Sequence, residues 1–170
     1  MAPLLRRTWA RVGHTPILYQ RTRSREKVSA IAAVTISARR QRVGLYSSLL
    51  PGRNVNAEVA IWFLRQLRYQ LGKRMIIIWD RLRAHRARLT QDFLVAQSTI
   101  RTEFFPPYAP ELNPVEGLWG YIKMNPLANL SAEDAQALAC IAEDHVRRVQ
   151  RDEPLLRSFI QNTPLSICLC

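Results

Sequence analysis

Two carboxylates stand where this sequence could do chemistry. Asp80 ends the apolar run Met75–Trp79 (MIIIW), and Glu116 follows a proline-stiffened stretch within FFPPYAPELNPVEGLWGYIK, Phe104–Lys123. Carboxylates are the hard oxygen ligands that Mg²⁺ prefers. Clustered acids can hold two cations about 3.5–4 Å apart, which stabilise the attacking and leaving oxygens of an in-line phosphoryl displacement. Asp80 and Glu116 are therefore candidate metal-binding and catalytic residues. Each also has a plainer role open to it. Asp80 could cap a turn or the next helix. Glu116 could complete a capping box begun by Asn113. Spacing alone does not separate these alternatives.

The elements that must position the two acids can be read locally. Five apolar residues without alternation fit a strand buried on both faces, as in the middle of an α/β sheet. An acid at the carboxyl end of such a strand lies where open α/β sheets place their ligands. Asn113-Pro114-Val115-Glu116 reads as a helix start, with Asn113 as N-cap and Pro114 in the first helical position. Val115, Leu118, Trp119 and Ile122 then form an inward stripe. Glu116, Gly120 and Lys123 form a neighbouring one, offering a carboxylate, a bare backbone and a cation to a phosphate chain. Trp119 is also the expected packing partner of Tyr108.

The remaining segments read as an alternating α/β chain. Met1–Gln20 is an irregular lead-in with a turn around Gly13–Pro16, and Thr22–Lys27 is a charged connector. Val28–Ser37 and Val43–Leu50 read as a hairpin around a basic turn at Arg39, Arg40 and Arg42. Asn54 or Asn56 caps a helix to Leu71, with Ala60, Phe63, Leu64, Leu67 and Leu71 on one face, and Gly72 ends it. A helix is expected over Leu89–Ala96 and a strand over Thr99–Phe105. Ser131-Ala-Glu-Asp134 opens a long helix with Ala135, Leu138, Ala139, Ala142, Val146 and Val149 inward. Pro154 breaks it before a short final segment. The expected order is β-β-α-β-α-β-α-α.

The stretch PPYAPELNPVEGLWGYIK resembles the signature of mariner-type transposases and their bacterial insertion-sequence relatives, which reads roughly PPYSPELNPIE followed by an aromatic residue and a lysine. Upstream, an apolar strand ending in Asp80 with His85 a few residues on is similar to the partner motif. Positions 81–115 separate the two acids, close to the interval the family keeps. The resemblance implies an RNase H-like α/β fold, a mixed sheet flanked by helices, carrying a triad of acids that binds two Mg²⁺ (or Mn²⁺) ions. It implies DNA cleavage and strand transfer during transposition, with transposon ends and target DNA as partners. By carry-over, Asp80 is the second acid and Glu116 the third. His85 has a family counterpart, Arg81 stands where many relatives carry Asn, and Arg83, His85, Arg86 and Lys123 are candidate contacts to DNA.

The family's first acid sits on the first, central strand, upstream of a segment like Arg6–Pro16. Here Glu26 and Glu58 are the only acids before Asp80, and neither follows an apolar strand. The expectation is a single partial catalytic domain over 1–170 with the first central strand missing: a basic lead-in (1–27), the sheet and motifs (28–125) and C-terminal helices (126–170). The missing acid would come from an upstream-frame transposase half, or the chain would act in a homo-oligomer. Alone, it would be inactive. The alternative is a non-catalytic DNA-binding or regulatory remnant of a transposase.

Bulk composition agrees with a polyanion partner. The chain of 170 residues carries a formal charge of +12. Residues 1–79 hold 15 Lys/Arg against 2 acids, and residues 80–170 hold 10 against 11. Such a basic half suits nucleic acid. Cys140, Cys168 and Cys170 show no zinc spacing and read as free thiols in a reducing compartment. No apolar run approaches the ~20 residues of a membrane span, so the expected location is cytoplasmic and, in a bacterium, nucleoid-associated. Arg88 reads either as a phosphate contact or as part of a basic solvated face, His145 as a core or boundary residue, His14 as a turn residue, and Glu103 and Glu111 as exposed.

Overall fold

A computed structural model describes residues 7, 9–14, 17, 27–72, 74–130 and 132–169. Most of the basic lead-in and connector, together with Ser131 and Cys170, lies outside the described residues. The described chain runs β1 (Val28–Ile36), β2 (Val43–Pro51), α1 (Ala57–Leu71), β3 (Met75–Trp79), α2 (Arg83–Arg86), α3 (Arg88–Val95), β4 (Ile100–Phe104), a 3₁₀ turn (Pro110–Leu112), α4 (Pro114–Met124), α5 (Ala135–Arg151) and α6 (Glu153–Gln161). This is a mixed α/β fold of small sheets flanked by helices.

Local signals set most of these boundaries. Asn56 caps α1 by accepting from the Val59 N–H at 3.0 Å, and Gly72 closes it in the left-handed region at φ 56°. Asp134 caps α5 by accepting from the Ala137 N–H at 2.7 Å. Pro154 sits in the first turn of α6, where its missing N–H costs nothing. It therefore opens a nine-residue helix where the sequence suggested only a short final segment.

The strands form two separate pairs. β1 and β2 are antiparallel from Val28 opposite Pro51 to Ile36 opposite Val43. β3 and β4 are parallel from Met75 beside Ile100 to Trp79 beside Phe104. The larger core lies under the hairpin, where Val28 and Leu45 meet Leu118 and Ile122 of α4, the inward stripe of α5, and Leu156 and Phe159 of α6. A smaller cluster joins Leu64 of α1 to Trp79, Leu94 and Ile100.

One expectation is corrected. β3 is not buried on both faces: Trp79 is buried, but Ile76 and Ile78 are 69% and 53% exposed. An unbroken apolar run reports that a strand can be buried, while actual burial depends on what packs over each face.

Candidate active site

Asp80 follows directly on buried Trp79, so β3 delivers its carboxylate to the sheet's carboxyl end. The segment just beyond it, Ala84–Gln91, is tightly braced. The Thr90 hydroxyl, fully buried, donates to Ala84 O at 2.7 Å. Gln91 Nε2 donates to His85 O at 2.6 Å. The His85 ring stacks on Trp79, with centroids 4.3 Å apart and planes 10° apart.

This bracing aims His85 at Asp80. His85 Nδ1 lies 2.8 Å from Asp80 Oδ1, with the histidine side chain 13% exposed and the aspartate 52%. The Leu82 N–H also donates to Oδ1, at 3.0 Å. Among the described residues, both contacts to the carboxylate fall on Oδ1, which leaves Oδ2 open to an incoming ligand. The His85 hydrogen bond holds the Asp80 pKa below its ordinary value. Partial burial opposes this, and the Leu82 bond and the attraction of His85 add to it. The capping alternative is thus half right: Asp80 closes the turn with one oxygen and keeps the other.

The loop toward Glu116 starts beside Asp80. The Phe105 N–H donates to Trp79 O at 2.9 Å. Arg81 Nε donates to Phe105 O at 3.3 Å, and its guanidinium sits 5.6 Å from the Phe104 ring centre. Arg81 therefore ties the ends of β3 and β4 together. The chain then turns through Pro106, Pro107 and Tyr108. Tyr108 has φ 60° and is fully exposed, so the expected packing against Trp119 does not form. The left-handed backbone points the ring outward.

Glu116 is the sharper result. Asn113 caps α4 by accepting from the Val115 N–H at 3.1 Å. A capping box would also need Glu116 to reach back to the Asn113 N–H. That N–H instead donates to Pro110 O at 3.0 Å, through the 3₁₀ turn. The turn takes over the cap's second half and leaves the Glu116 carboxylate exposed in the first turn of α4. The helix itself is fixed by Leu118 and Ile122, both fully buried. A Cβ on Gly117 would meet Phe159 at 3.3 Å, so α4 and α6 approach closely there.

The structure brings Asp80 and His85 together. Arg83 and Arg86 lie exposed on the short helix between Asp80 and α3, and Lys123 lies half-buried at the far end of α4. Arg88 pairs loosely with Asp92 at 3.8 Å. Among the described residues, no group of three or more His, Cys, Asp or Glu gathers closely enough to hold a metal, and no helix is long and apolar enough to cross a membrane. Sequence reasoning missed the Trp79–His85 stack and the Arg81 tie. An aromatic residue before Asp80, a histidine five positions after it and an arginine between them were the only signals.

A comparison with curated proteins finds no match. Among solved structures, the fold resembles the Mos1 mariner paired-end complex with Mn, with a TM-score of 0.62 and 19% identity over 96% of this chain. It resembles the Mos1 transposase paired-end complex with the left transposon end at 0.63 and 20% over the same share, and the Mos1 strand transfer complex at 0.63 and 19% over 94%. This chain spans about half the length of those proteins, covering 48%, 48% and 47% of them. The family model for DDE superfamily endonuclease matches residues 2–139, a span that holds both carboxylates, the His85 brace and the proline loop. By that match and by its fold, the chain belongs to the DDE superfamily of endonucleases.

Proposed function

We propose that this chain carries the Asp80 and Glu116 corner of a transposase active site that cuts and joins DNA with a divalent cation, Mg²⁺ or Mn²⁺. The observation that supports this most is the state of the two acids. Asp80 keeps Oδ2 open while Oδ1 is anchored, and Glu116 is released from its capping role by Pro110. Exposed carboxylate oxygens on rigid elements fit a hard divalent cation. The Mos1 structures it resembles are complexes of transposon DNA, one of them with Mn.

In this reading Asp80 and Glu116 would hold the cation. When bound, it supplies charge stabilisation for a phosphoryl displacement. The chain's own residues do the rest. His85 and Leu82 fix the orientation of Asp80, Arg81 fixes the start of the loop, and Arg83, His85, Arg86 and Lys123 meet phosphates. Residues 28–125 form the working part and 126–170 support it from behind.

Two carboxylates hold a divalent ion weakly, so the site needs a third ligand, for which an upstream-frame transposase half or a second subunit is one source. The test is duplex DNA carrying a transposon-like end, incubated with purified chain with and without Mg²⁺. We expect binding that weakens steeply with salt, needs no metal, and gives no nicking. Robust nicking abolished by Glu116→Ala would show the chain to be complete as it stands. Absence of binding at low salt would remove DNA as the partner.

A second reading, a DNA-binding remnant without catalysis, draws on the lack of a three-acid group among the described residues and on the basic first half. It predicts the same DNA binding with no metal affinity at Asp80 and Glu116.

A further inference from the structure

The loop between the two acids holds one side chain in a position that packing does not explain. Tyr108 is 101% exposed, and its backbone sits in the left-handed region at φ 60°. Exposed aromatic residues scattered singly are ordinary, and Tyr69 on α1 is one of them. A bulky residue at positive φ is not ordinary, because its Cβ crowds its own backbone. Here the ring gains no burial in return. Strain of this kind persists only where the surroundings impose it, and it gathers at functional sites.

The surroundings do impose it. On the β4 side the Phe105 N–H donates to Trp79 O at 2.9 Å, and Phe105 O accepts from Arg81 Nε at 3.3 Å. On the α4 side the Leu112 N–H donates to Ala109 O at 3.2 Å and the Asn113 N–H to Pro110 O at 3.0 Å. Pro106, Pro107 and Pro110 fix φ between these anchors. The loop is therefore stiff, and Tyr108 has little freedom to lose on meeting a partner. It stands where the chain passes from the carboxyl end of β4, level with Trp79, to the first turn of α4, which carries Glu116.

We propose that Tyr108 is a stacking platform for one unpaired nucleobase of the DNA that reaches the Asp80 and Glu116 corner. Every base offers a π face, so the contact tolerates sequence. In an intact duplex each base face is covered by the next pair, so the ring favours DNA with unpaired nucleotides. An apolar protein partner would need a wider patch, and Phe105, the other aromatic residue of the loop, is buried. Arg83 and Arg86, exposed just beyond Asp80, supply charge for the phosphates of the same strand. The contact requires DNA as the partner, as proposed above, but no metal at the site.

The test is binding at low salt in EDTA to two probes. One is a DNA dumbbell with no free end. The other is the same duplex opened to a short single-stranded overhang carrying 2-aminopurine, whose fluorescence falls on stacking. The chain should bind the overhang probe on the order of tenfold more tightly than the dumbbell, and quench it. Tyr108→Ala should lose both effects and keep its affinity for the dumbbell. Tyr108→Phe, which retains the ring, should keep both. Tyr108→Gly suits the left-handed backbone, so it should lose the preference with Tm unchanged or higher. A fall in its Tm would make the ring a structural prop instead. The proposal is overturned if Tyr108→Ala leaves preference and quenching in place, if Tyr108→Phe loses them, or if every variant weakens both probes alike. If the unmutated chain binds both probes equally, the stacking alone fails. If it binds neither, DNA as the partner fails and the stacking with it.

Discussion

The hairpin half and the parallel-pair half of this molecule are finished to different degrees. Beneath β1 and β2, three helices contribute fully buried side chains: Ile122 of α4, Val146 of α5 and Leu156 of α6. The hairpin and the C-terminal helices are also joined by hydrogen bonds: Gln150 Nε2 to Leu45 O at 3.0 Å and Arg157 to Gln41 O at 2.7 Å. Beneath β3 and β4, among the described residues, the cluster that includes the strands has four buried members, and Ile76 and Ile78 are exposed. Glu116 belongs to the finished half and Asp80 to the open one. The two acids of the proposed site are thus carried by parts of the fold with different reserves of stability. What Asp80 has in place of a deep core is local bracing by His85, Thr90 and Gln91.

The largest effect should come from breaking the finished half. Ile122→Ala should cost about 2–5 kcal/mol in urea unfolding. Ile76→Thr, at the same hydrophobic type in the open half, should stay within about 0.5 kcal/mol. Equal losses would mean that the β3 face is covered in solution. Next, Asn113→Ala should cost about 1 kcal/mol through loss of the α4 cap. Glu116→Gln should change stability by less than about 0.5 kcal/mol, because Pro110 already satisfies the Asn113 N–H. A larger loss would restore the capping box.

The smallest effect is one of pH. His85 holds the Asp80 pKa below its unfolded value, so this carboxylate's stabilisation is complete above the unfolded pKa. It is lost as pH falls through the folded one. His85→Ala should raise the Asp80 midpoint in a carboxyl NMR titration. The variant should be less stable at neutral pH and lose less on acidification. An unchanged midpoint would mean that the His85 contact is not formed in solution.

Periodicity made the finished half legible. The six inward residues of α5 and the α1 face from Ala60 to Leu67 are buried as their 3.6-residue spacing required, and Asn56, Gly72 and Asp134 mark their helix ends. What was not legible depends on neighbours distant in sequence. MIIIW carries no sign of which face will be covered. Nothing in NPVE says that Pro110 will take the Asn113 N–H, nor does the proline loop show that Tyr108 turns outward at positive φ. The site was legible as two acids and a histidine because a long, ordered motif holds them. The anchoring of Asp80 through one oxygen required the fold.

The most direct test of the central claim is Mn²⁺ titration of the ¹⁵N-labelled chain, read as paramagnetic broadening of backbone amides. The account predicts that amides next to Asp80 and Glu116 broaden together at the lowest Mn²⁺ concentration, and that Asp80→Asn or Glu116→Gln removes the broadening at both. Broadening first at other exposed acids such as Glu133 or Asp144, or at one of the two sites with the other unaffected, would contradict a shared metal site.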